Sequence, residues 1–286
     1  MTSIAKFVPA PVRRLRQRLR GALGAFKPAP PPPFPMVSLV AWKSPRNVPN
    51  FGDDLSQVIV SLMLARRGRT LEDEAVRATS LLAIGSIIHF APEGATLWGS
   101  GVNGKIPEHF HRYRGLDVRA VRGPYTREWL MRRKIAVPEI YGDPALLLPE
   151  LCQGRFQPSG AGGTIFVPNL NDILAGTEVT LPAGVPLVSP MRSWHRVVAD
   201  IVAARFVVAS SLHGVVIAEA FGIPARYVRL SEHENLFKFQ DYYAGTGRGS
   251  FAYARSIEEA LEMGGEAAPV FDSAALKRAF PLDLWR

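Results

Sequence analysis

The segment best suited to chemistry is Ser210-Ser211-Leu212-His213-Gly214, which follows an apolar strand and opens a helix. A serine at the start of a helix can cap its free N–H groups, beside the positive end of the helix dipole. Such a helix start favours an anion, and His213 stands at its rim, where it can pass a proton to that anion. In the competing interpretation, Ser210 or Ser211 only caps the helix and His213 only packs.

Two adjacent acids form a second candidate, in the segment Asn50-Phe51-Gly52-Asp53-Asp54 between the first strand and the first helix. Either carboxylate can serve as a general base or grip the hydroxyl groups of a sugar. Acids at this place are also common helix caps, and capping by Asp53 or Asp54 would explain one of them without any function.

A glycine-rich turn after another strand reads Gly99-Ser100-Gly101-Val102-Asn103-Gly104 and matches the spacing G-x-G-x-x-G. In a dinucleotide site this motif opens a helix in the first βαβ unit, but here Lys105-Ile106-Pro107 follows and the motif comes third in its lobe. Nicotinamide binding is therefore not expected. A glycine at position 101 would still let the backbone approach a ligand, with Lys105 as an anion partner.

Arg122 ends a further predicted strand, where a guanidinium group can fork onto a carboxylate or a phosphate. A surface salt bridge is the ordinary alternative for such an arginine. The histidines lack metal-binding spacing, because His109 and His111 have no third ligand nearby and the chain has one cysteine. A G-x-S-x-G nucleophile elbow is also missing. The sequence thus predicts an anion-binding cleft without a metal or a covalent nucleophile.

The elements that must position these residues alternate between strands and helices, which predicts parallel sheets covered on both faces. The predicted strands cover residues 37–42, 81–86, 95–99, 118–121, 164–168, 187–189, 206–210 and 225–230. The predicted helices cover residues 53–67, 125–133, 193–205 and 213–221. Ligands of such sheets bind beyond the carboxyl ends of the strands, which is where the candidate residues stand.

The domain organisation follows from a glycine-rich stretch at 154–163 that would separate two lobes. We expect an α/β fold with one Rossmann-like lobe over residues 37–155 and a second over 163–265. A C-terminal helix is expected within residues 266–286. Residues 1–36 are expected to form a basic arm and a proline-rich linker, since six prolines between positions 28 and 35 favour an extended, stiff spacer.

The net charge of +9 is concentrated in the arm, because residues 1–27 hold seven cations and no acid. The remainder carries 27 cations against 25 acids, so the folded body offers no basic face for nucleic acid. One cysteine, Cys152, and apolar runs far shorter than the roughly 20 residues of a membrane helix predict a cytoplasmic protein. The arm also has the composition of a mitochondrial transit peptide, which is the less favoured interpretation.

At these residues the sequence resembles the polysaccharide pyruvyl transferases, most closely the xanthan-type enzymes that form a ketal. The resemblance runs in order through nearly all of residues 37–286. The segments that carry it are NFGDDLS at 50–56, LWGSGVNGKIP at 97–107, LDVRAVRGPYTR at 116–127, VPEIYGDPALL at 137–147, SSLHGVVIAEAFGIPA at 210–225, FKFQDYYAGTGR at 237–248 and FPLDLW at 280–285.

The resemblance implies two Rossmann-like lobes in the GT-B glycosyltransferase architecture. It also implies transfer of the enolpyruvyl unit of phosphoenolpyruvate to a sugar of a lipid-linked oligosaccharide, with ketal closure and release of phosphate. His213 would be the proton donor or a histidine that binds the donor, and Arg122 a clamp on phosphoenolpyruvate. Ser210, Ser211, Leu212 and Gly101 would be part of the donor site. No cofactor is implied beyond phosphoenolpyruvate as co-substrate.

One departure from the family concerns position 211, where many relatives have a donor-binding arginine and this chain has serine. The missing cation would then come from Arg248, Arg192 or Lys105, which the sequence does not rank. As a hypothesis, Asp53 or Asp54 takes the proton of the attacking hydroxyl group.

Two other functions also fit the sequence. A nucleotide-sugar-dependent glycosyltransferase would suit the same lobes, and a non-enzymatic adaptor at a membrane surface would suit the basic arm. In the favoured interpretation, the arm holds the enzyme on the anionic inner face of the cytoplasmic membrane, as a peripheral protein.

Overall fold

The computed structural model describes residues 3–5, 33–44 and 48–286, and of residues 3–5 only the backbone. Apart from a short strand β1 (Ser3–Ala5), the predicted arm and most of the proline linker therefore lie outside the described residues. The described part is a mixed α/β structure with two parallel sheets, as the alternating pattern predicted. No helix within it is both long and apolar enough to cross a membrane.

The first sheet contains four parallel strands in sequence order: β2 (Val37–Val40), β3 (Thr79–Leu82), β4 (Thr96–Trp98) and β5 (Asp117–Ala120). A parallel bridge from Val121 to Tyr141 extends this sheet beyond β5. The buried strand residues are mostly aliphatic, as expected for a sheet covered on both faces.

The two helices associated with this sheet are α1 (Phe51–Ala65) and α2 (Pro124–Arg132). Helix α1 begins two residues earlier than the apolar pattern predicted, because Asn50 rather than an aspartate is its N-cap residue. The prediction that Asp53 or Asp54 caps the helix is therefore wrong, and both acids lie inside its first turn. Acids there still complement the helix dipole.

The second sheet consists of β6 (Thr164–Val167), β8 (Phe206–Ala209) and β9 (Ala225–Tyr227), all parallel. Single parallel bridges extend it on both sides, from Phe166 to Leu187 and from Val228 to Ala254. The strand predicted at 187–189 is thus reduced to one bridge. With the bridges included, the spatial order is 2-1-3-4-5, so the strand order reverses between β6 and β8, and ligands of open α/β sheets bind at such reversals.

The remaining elements are helical apart from β7 (Val179–Leu181), which pairs antiparallel with β1. These helices are α3 (Leu148–Leu151), α4 (Leu170–Ala175), α5 (Trp194–Ala203), α6 (Leu212–Ala220), α7 (Phe237–Gly245), α8 (Ile257–Met263) and α9 (Ser273–Arg278). The predicted C-terminal helix is thus α9, followed by a 3₁₀ turn at Leu282–Leu284.

One apolar core joins the two sheets, because α1 packs against α5 and both helices bury aliphatic residues in the same cluster. Residues 153–161, which connect α3 to β6, are mostly exposed. The chain end returns to the first sheet, where the buried Trp98 Nε1 donates a hydrogen bond to the Leu276 carbonyl at 2.8 Å. This packing fixes the turns of both sheets relative to one another.

Candidate functional site

A cavity of about 210 Å³ lies where the carboxyl ends of the two sheets face each other. The turns after β2, β3 and β4 and the start of α1 supply one wall, and the turns after β6 and β8, with α7, supply the other. Its principal polar lining residues are Asn50, Asp53, Ser86, His89, Asn103, Asn169, Ser211, His213 and Lys238. The cavity therefore includes the strand-order reversal of the second sheet.

His213 lies in the first turn of α6, and its side chain is 11% exposed. Ser211 is the N-cap residue of this helix, and its Oγ accepts a hydrogen bond from Gly214 N at 3.3 Å, which confirms that a serine caps the helix. Gly52 of α1 lies against the imidazole, so that a Cβ at position 52 would overlap Nδ1. The glycine of the NFGDD segment thus makes room for the histidine.

The other ring nitrogen of His213 faces a second acid. Nε2 lies 3.6 Å from Asp143 Oδ2, an ion pair when the imidazole is protonated. Asp143 is fully buried, and neither Nε2 nor Oδ2 has a hydrogen-bond partner among the described residues. Asp143 Oδ1, by contrast, accepts a hydrogen bond from Ala145 N at 3.0 Å and caps a 3₁₀ turn.

The carboxylate of Asp53 lines the cavity beside His213. Burial raises the pKa of Asp53 above its ordinary value of 3.8, and the charge of a protonated His213 opposes that shift. Asn50 Nδ2 donates a hydrogen bond to Asp53 Oδ2 at 2.6 Å and fixes its orientation. Asp54 is exposed and does not line the cavity, so the structure brings one member of the predicted acid pair to His213.

Lys238, on α7, lines the cavity and is the one lysine or arginine of the described residues to do so. Its Nζ lies 2.8 Å from Glu234, and Lys105 Nζ lies 2.5 Å from the same carboxylate. Burial lowers the pKa of Lys238, and the charge of Glu234 opposes that shift. Lys105 thus shares Glu234 with Lys238 but does not itself line the cavity.

Ser210 and Leu212 flank the capping serine. Ser210 Oγ accepts a hydrogen bond from Asn169 N at 2.8 Å and donates one to Asp172 Oδ2 at 2.6 Å. These bonds tie the turn after β8 to the turn after β6, at the strand-order reversal. Leu212 lines the cavity directly, whereas Ser210 supports its wall.

Arg122 is fully buried behind the cavity rather than on its surface. Its Nε donates to Asp241 Oδ2 at 2.9 Å, and one terminal nitrogen donates to the Val102 carbonyl at 2.8 Å. The other terminal nitrogen of Arg122 donates to Ser86 Oγ at 2.5 Å. Ser86 lines the cavity. Arg122, the predicted donor clamp, is therefore separated from the cavity by Ser86 and forms a buried ion pair with Asp241.

The glycines of the motif after β4 allow close packing of neighbouring protein groups. Substituting a side chain at Gly99, Gly101 or Gly104 would bring its Cβ into Pro144, Arg122 or Phe237, respectively. Gly101, predicted to approach the donor, lies instead against the guanidinium of Arg122. The motif lets three segments converge behind the cavity.

The two remaining predicted cations lie away from the cavity. Arg248 is buried and forms a bidentate pair with Glu219, with both distances 2.8 Å. Arg192 pairs with Asp200 on an exposed surface. Neither is brought to His213, so the structure places none of the three candidate cations, Arg248, Arg192 and Lys105, in the cavity wall.

Sequence reasoning did not select Lys238 or Asp143 as site residues. Asp143 had a detectable signal, because Gly142-Asp143-Pro144 is a turn of the kind that follows a strand. Lys238 lies in the segment 237–248 that carries the family resemblance, but the sequence predicted no helix there and gave Lys238 no role. Within the part of the chain that the structure describes, no group of three His, Cys, Asp or Glu side chains is arranged to hold a metal ion.

Comparison with known proteins gives three findings. Residues 93–232 match the family model for polysaccharide pyruvyl transferase. The succinoglycan biosynthesis protein ExoV of Rhizobium meliloti (strain 1021) is 28% identical over 212 residues, which cover 70% of this chain and 62% of that protein. The matched part thus spans less than two-thirds of that relative. The crystal structure of an uncharacterized Klebsiella pneumoniae protein is 11% identical, covers 73% of this chain and 87% of its own, and has a TM-score of 0.44.

Proposed function

We propose that this chain, whose residues 93–232 match the polysaccharide pyruvyl transferase family model, transfers pyruvate from phosphoenolpyruvate to a sugar in exopolysaccharide biosynthesis. The acceptor is the terminal sugar of a lipid-linked repeat unit, and the product is a cyclic pyruvate ketal. The similarity to a succinoglycan biosynthesis protein supports the pathway class.

The observation that carries this proposal is the meeting of His213, Asp53 and Lys238 in one small cavity. An acid–base imidazole, a buried carboxylate and a cation are the groups that protonation, hydroxyl activation and anion binding require. The volume of about 210 Å³ lies below the roughly 300–1,000 Å³ of pockets that take drug-sized ligands. This size suits a three-carbon phosphate donor better than a nucleotide sugar.

In the proposed reaction, His213 gives a proton to the methylene carbon of phosphoenolpyruvate, which becomes a methyl group. The first sugar hydroxyl forms a bond to C2 and gives its proton to Asp53. The C2–O bond to phosphate breaks, and the second hydroxyl closes the ketal while its proton leaves with the phosphate. Proton return from Asp53 to His213 restores both groups.

Lys238 supplies the anion contact in this scheme, in the place of the family's arginine at position 211. Ser211 and the N-terminus of α6 add hydrogen-bond donors and positive potential on the same wall. The donor lies at the strand-order reversal, and the acceptor enters between the two sheets, in a GT-B-like arrangement of two lobes. The basic arm binds the enzyme to the cytoplasmic face of the membrane in this proposal.

The test is incubation of the protein with phosphoenolpyruvate and lipid-linked oligosaccharides, followed by mass spectrometry of the glycan and an assay for free phosphate. We expect a gain of one pyruvate ketal per repeat unit, with one phosphate released for each. His213→Ala provides the matched inactive control. Glycan extension with a nucleotide sugar, and no phosphate released from phosphoenolpyruvate, would contradict the proposal.

A further inference from the structure

We propose that Asp143 is a positioning residue for His213. Its carboxylate keeps the imidazole protonated at Nε2, which leaves Nδ1 as the nitrogen that exchanges a proton at the cavity. The consequence for catalysis rests on the proposed function, whereas the effect on the histidine tautomer does not.

Two buried polar atoms face each other behind the cavity. Asp143 Oδ2 and His213 Nε2 are both buried, both without a hydrogen-bond partner among the described residues, and 3.6 Å apart. A buried carboxylate oxygen without a donor is costly. An N–H at Nε2 would satisfy it, and a shift of about half an ångström would bring the pair within hydrogen-bond range. Catalytic hydrogen bonds are often long before the substrate binds.

The rest of Asp143 is already fixed. Its Oδ1 caps the 3₁₀ turn that starts at Pro144, and the Pro144 ring packs against Gly99, where a Cβ would overlap it. The backbone enters this turn through Gly142, whose φ of +138° favours glycine. Oδ2 is therefore aimed at the imidazole by a rigid support, and capping alone requires only Oδ1.

The tautomer decides which nitrogen can act. With the proton held on Nε2, Nδ1 is the free lone pair in the neutral ring, and the second proton of the imidazolium resides there. Nδ1 lies on the Gly52 side of the ring, next to the start of α1 that also carries Asp53. The charged groups around the histidine are Asp143 behind it and Asp53 and Lys238 in the cavity wall.

Asp143→Asn tests the assignment, because an amide keeps the Oδ1 acceptor for the Ala145 cap and loses the carboxylate. We expect nitrogen-15 NMR of the intact wild-type chain to show neutral His213 as the Nε2–H tautomer, and the variant to lose that preference. Its kcat for ketal formation should fall about 10²–10⁴-fold, its KM for phosphoenolpyruvate should stay within about twofold, and its Tm should be unchanged. The alkaline limb of the pH–rate profile, on which His213 loses the proton that it donates, should shift as well.

Asp143→Ala is the companion variant, because it removes the cap and the carboxylate together. It should lower Tm and reduce kcat to the same extent as Asp143→Asn. An Nδ1–H tautomer in the wild type, or a wild-type kcat in a folded Asp143→Asn variant, would overturn the proposal. If the wild type showed the Nε2–H tautomer but no pyruvyl transfer, the positioning role would stand and the proposed function would fall.

Discussion

Gly52 of α1 and His213 of α6 are in contact beside the cavity, and the contact exists because position 52 has no side chain. The two residues belong to segments 161 positions apart in the sequence. Glycine is a weak helix former, about 1 kcal/mol worse than alanine in a helix interior, yet it occupies the first turn of α1. Glycine at position 52 therefore leaves room for the imidazole of His213 at a cost in helix stability.

Gly52→Ala should lower kcat at least tenfold, because the new methyl group pushes His213 out of the cavity geometry. The helix propensity gain of about 1 kcal/mol partly offsets an overpacking cost of about 1–3 kcal/mol, so the free energy of unfolding should change little. Steady-state kinetics and urea unfolding measure both. Gly249→Ala is the control, because its methyl group would meet nothing within 4 Å. Wild-type turnover in Gly52→Ala would contradict the account.

Lys238→Met should raise the KM for phosphoenolpyruvate about tenfold to a hundredfold, since a charge-assisted hydrogen bond contributes roughly 1.5–3 kcal/mol. Lys105→Met is the matched control, because both lysines pair with Glu234 but only Lys238 lines the cavity. We expect a donor KM near the wild-type value for Lys105→Met. A raised donor KM in Lys105→Met alone would show that Lys105, and not Lys238, binds phosphoenolpyruvate.

Arg122→Ala should lower the free energy of unfolding by about 3–5 kcal/mol, because Asp241 is left charged and buried without its partner. Arg122→Lys keeps a cation and should be less destabilised. Since the guanidinium also reaches Ser86 at the cavity wall, we expect the donor KM of Arg122→Lys to rise roughly tenfold. An unchanged donor KM would show that Arg122 serves only in the ion pair with Asp241 and does not affect donor binding.

Asp53→Asn should stabilise the protein at neutral pH while lowering kcat. Burial raises the pKa of Asp53, so the native state binds this proton more readily than the unfolded state does. The contribution of Asp53 to stability is therefore lost as pH rises from about 3.8 through the raised pKa. The variant should exceed the wild type in Tm at pH 7 and approach it near pH 3. Asp54→Asn, at an exposed carboxylate, should leave kcat nearly unchanged, which distinguishes the two acids.

The parallel sheets and the His213 turn could be predicted from the sequence because their signals are local. The apolar strands and the serine cap at position 211 each lie within a few residues. Helix α7 was missed for a physical reason: its sequence FKFQDYYAG is rich in aromatic residues that favour strands, and its N-cap residue Leu236 makes no side-chain capping bond. Without that helix, the sequence gave no reason to assign a role to Lys238 or Asp241.

The partners of the site residues depend on tertiary contacts that no local pattern encodes. Arg122 has the same sequence signal whether it faces a ligand or Asp241, 119 positions away. Arg248 likewise forms an ion pair with Glu219 rather than facing a ligand. Conversely, the three glycines of the motif after β4 indicate close approach correctly, but the sequence does not say that protein groups are what approach.

The last prediction concerns the basic arm, which lies outside the described residues except for β1. Its seven cations and the apolar residues Leu15, Leu19 and Leu23 predict binding to an anionic membrane, because each basic residue near such a surface contributes about 1 kcal/mol. Intact protein should cosediment with anionic liposomes at low salt and be released at high salt, through screening. Deleting residues 1–35 should abolish the binding and spare activity on a soluble acceptor analogue. A variant with the arm's arginines changed to glutamine separates charge from insertion, and equal partitioning of intact and truncated protein would contradict the membrane role.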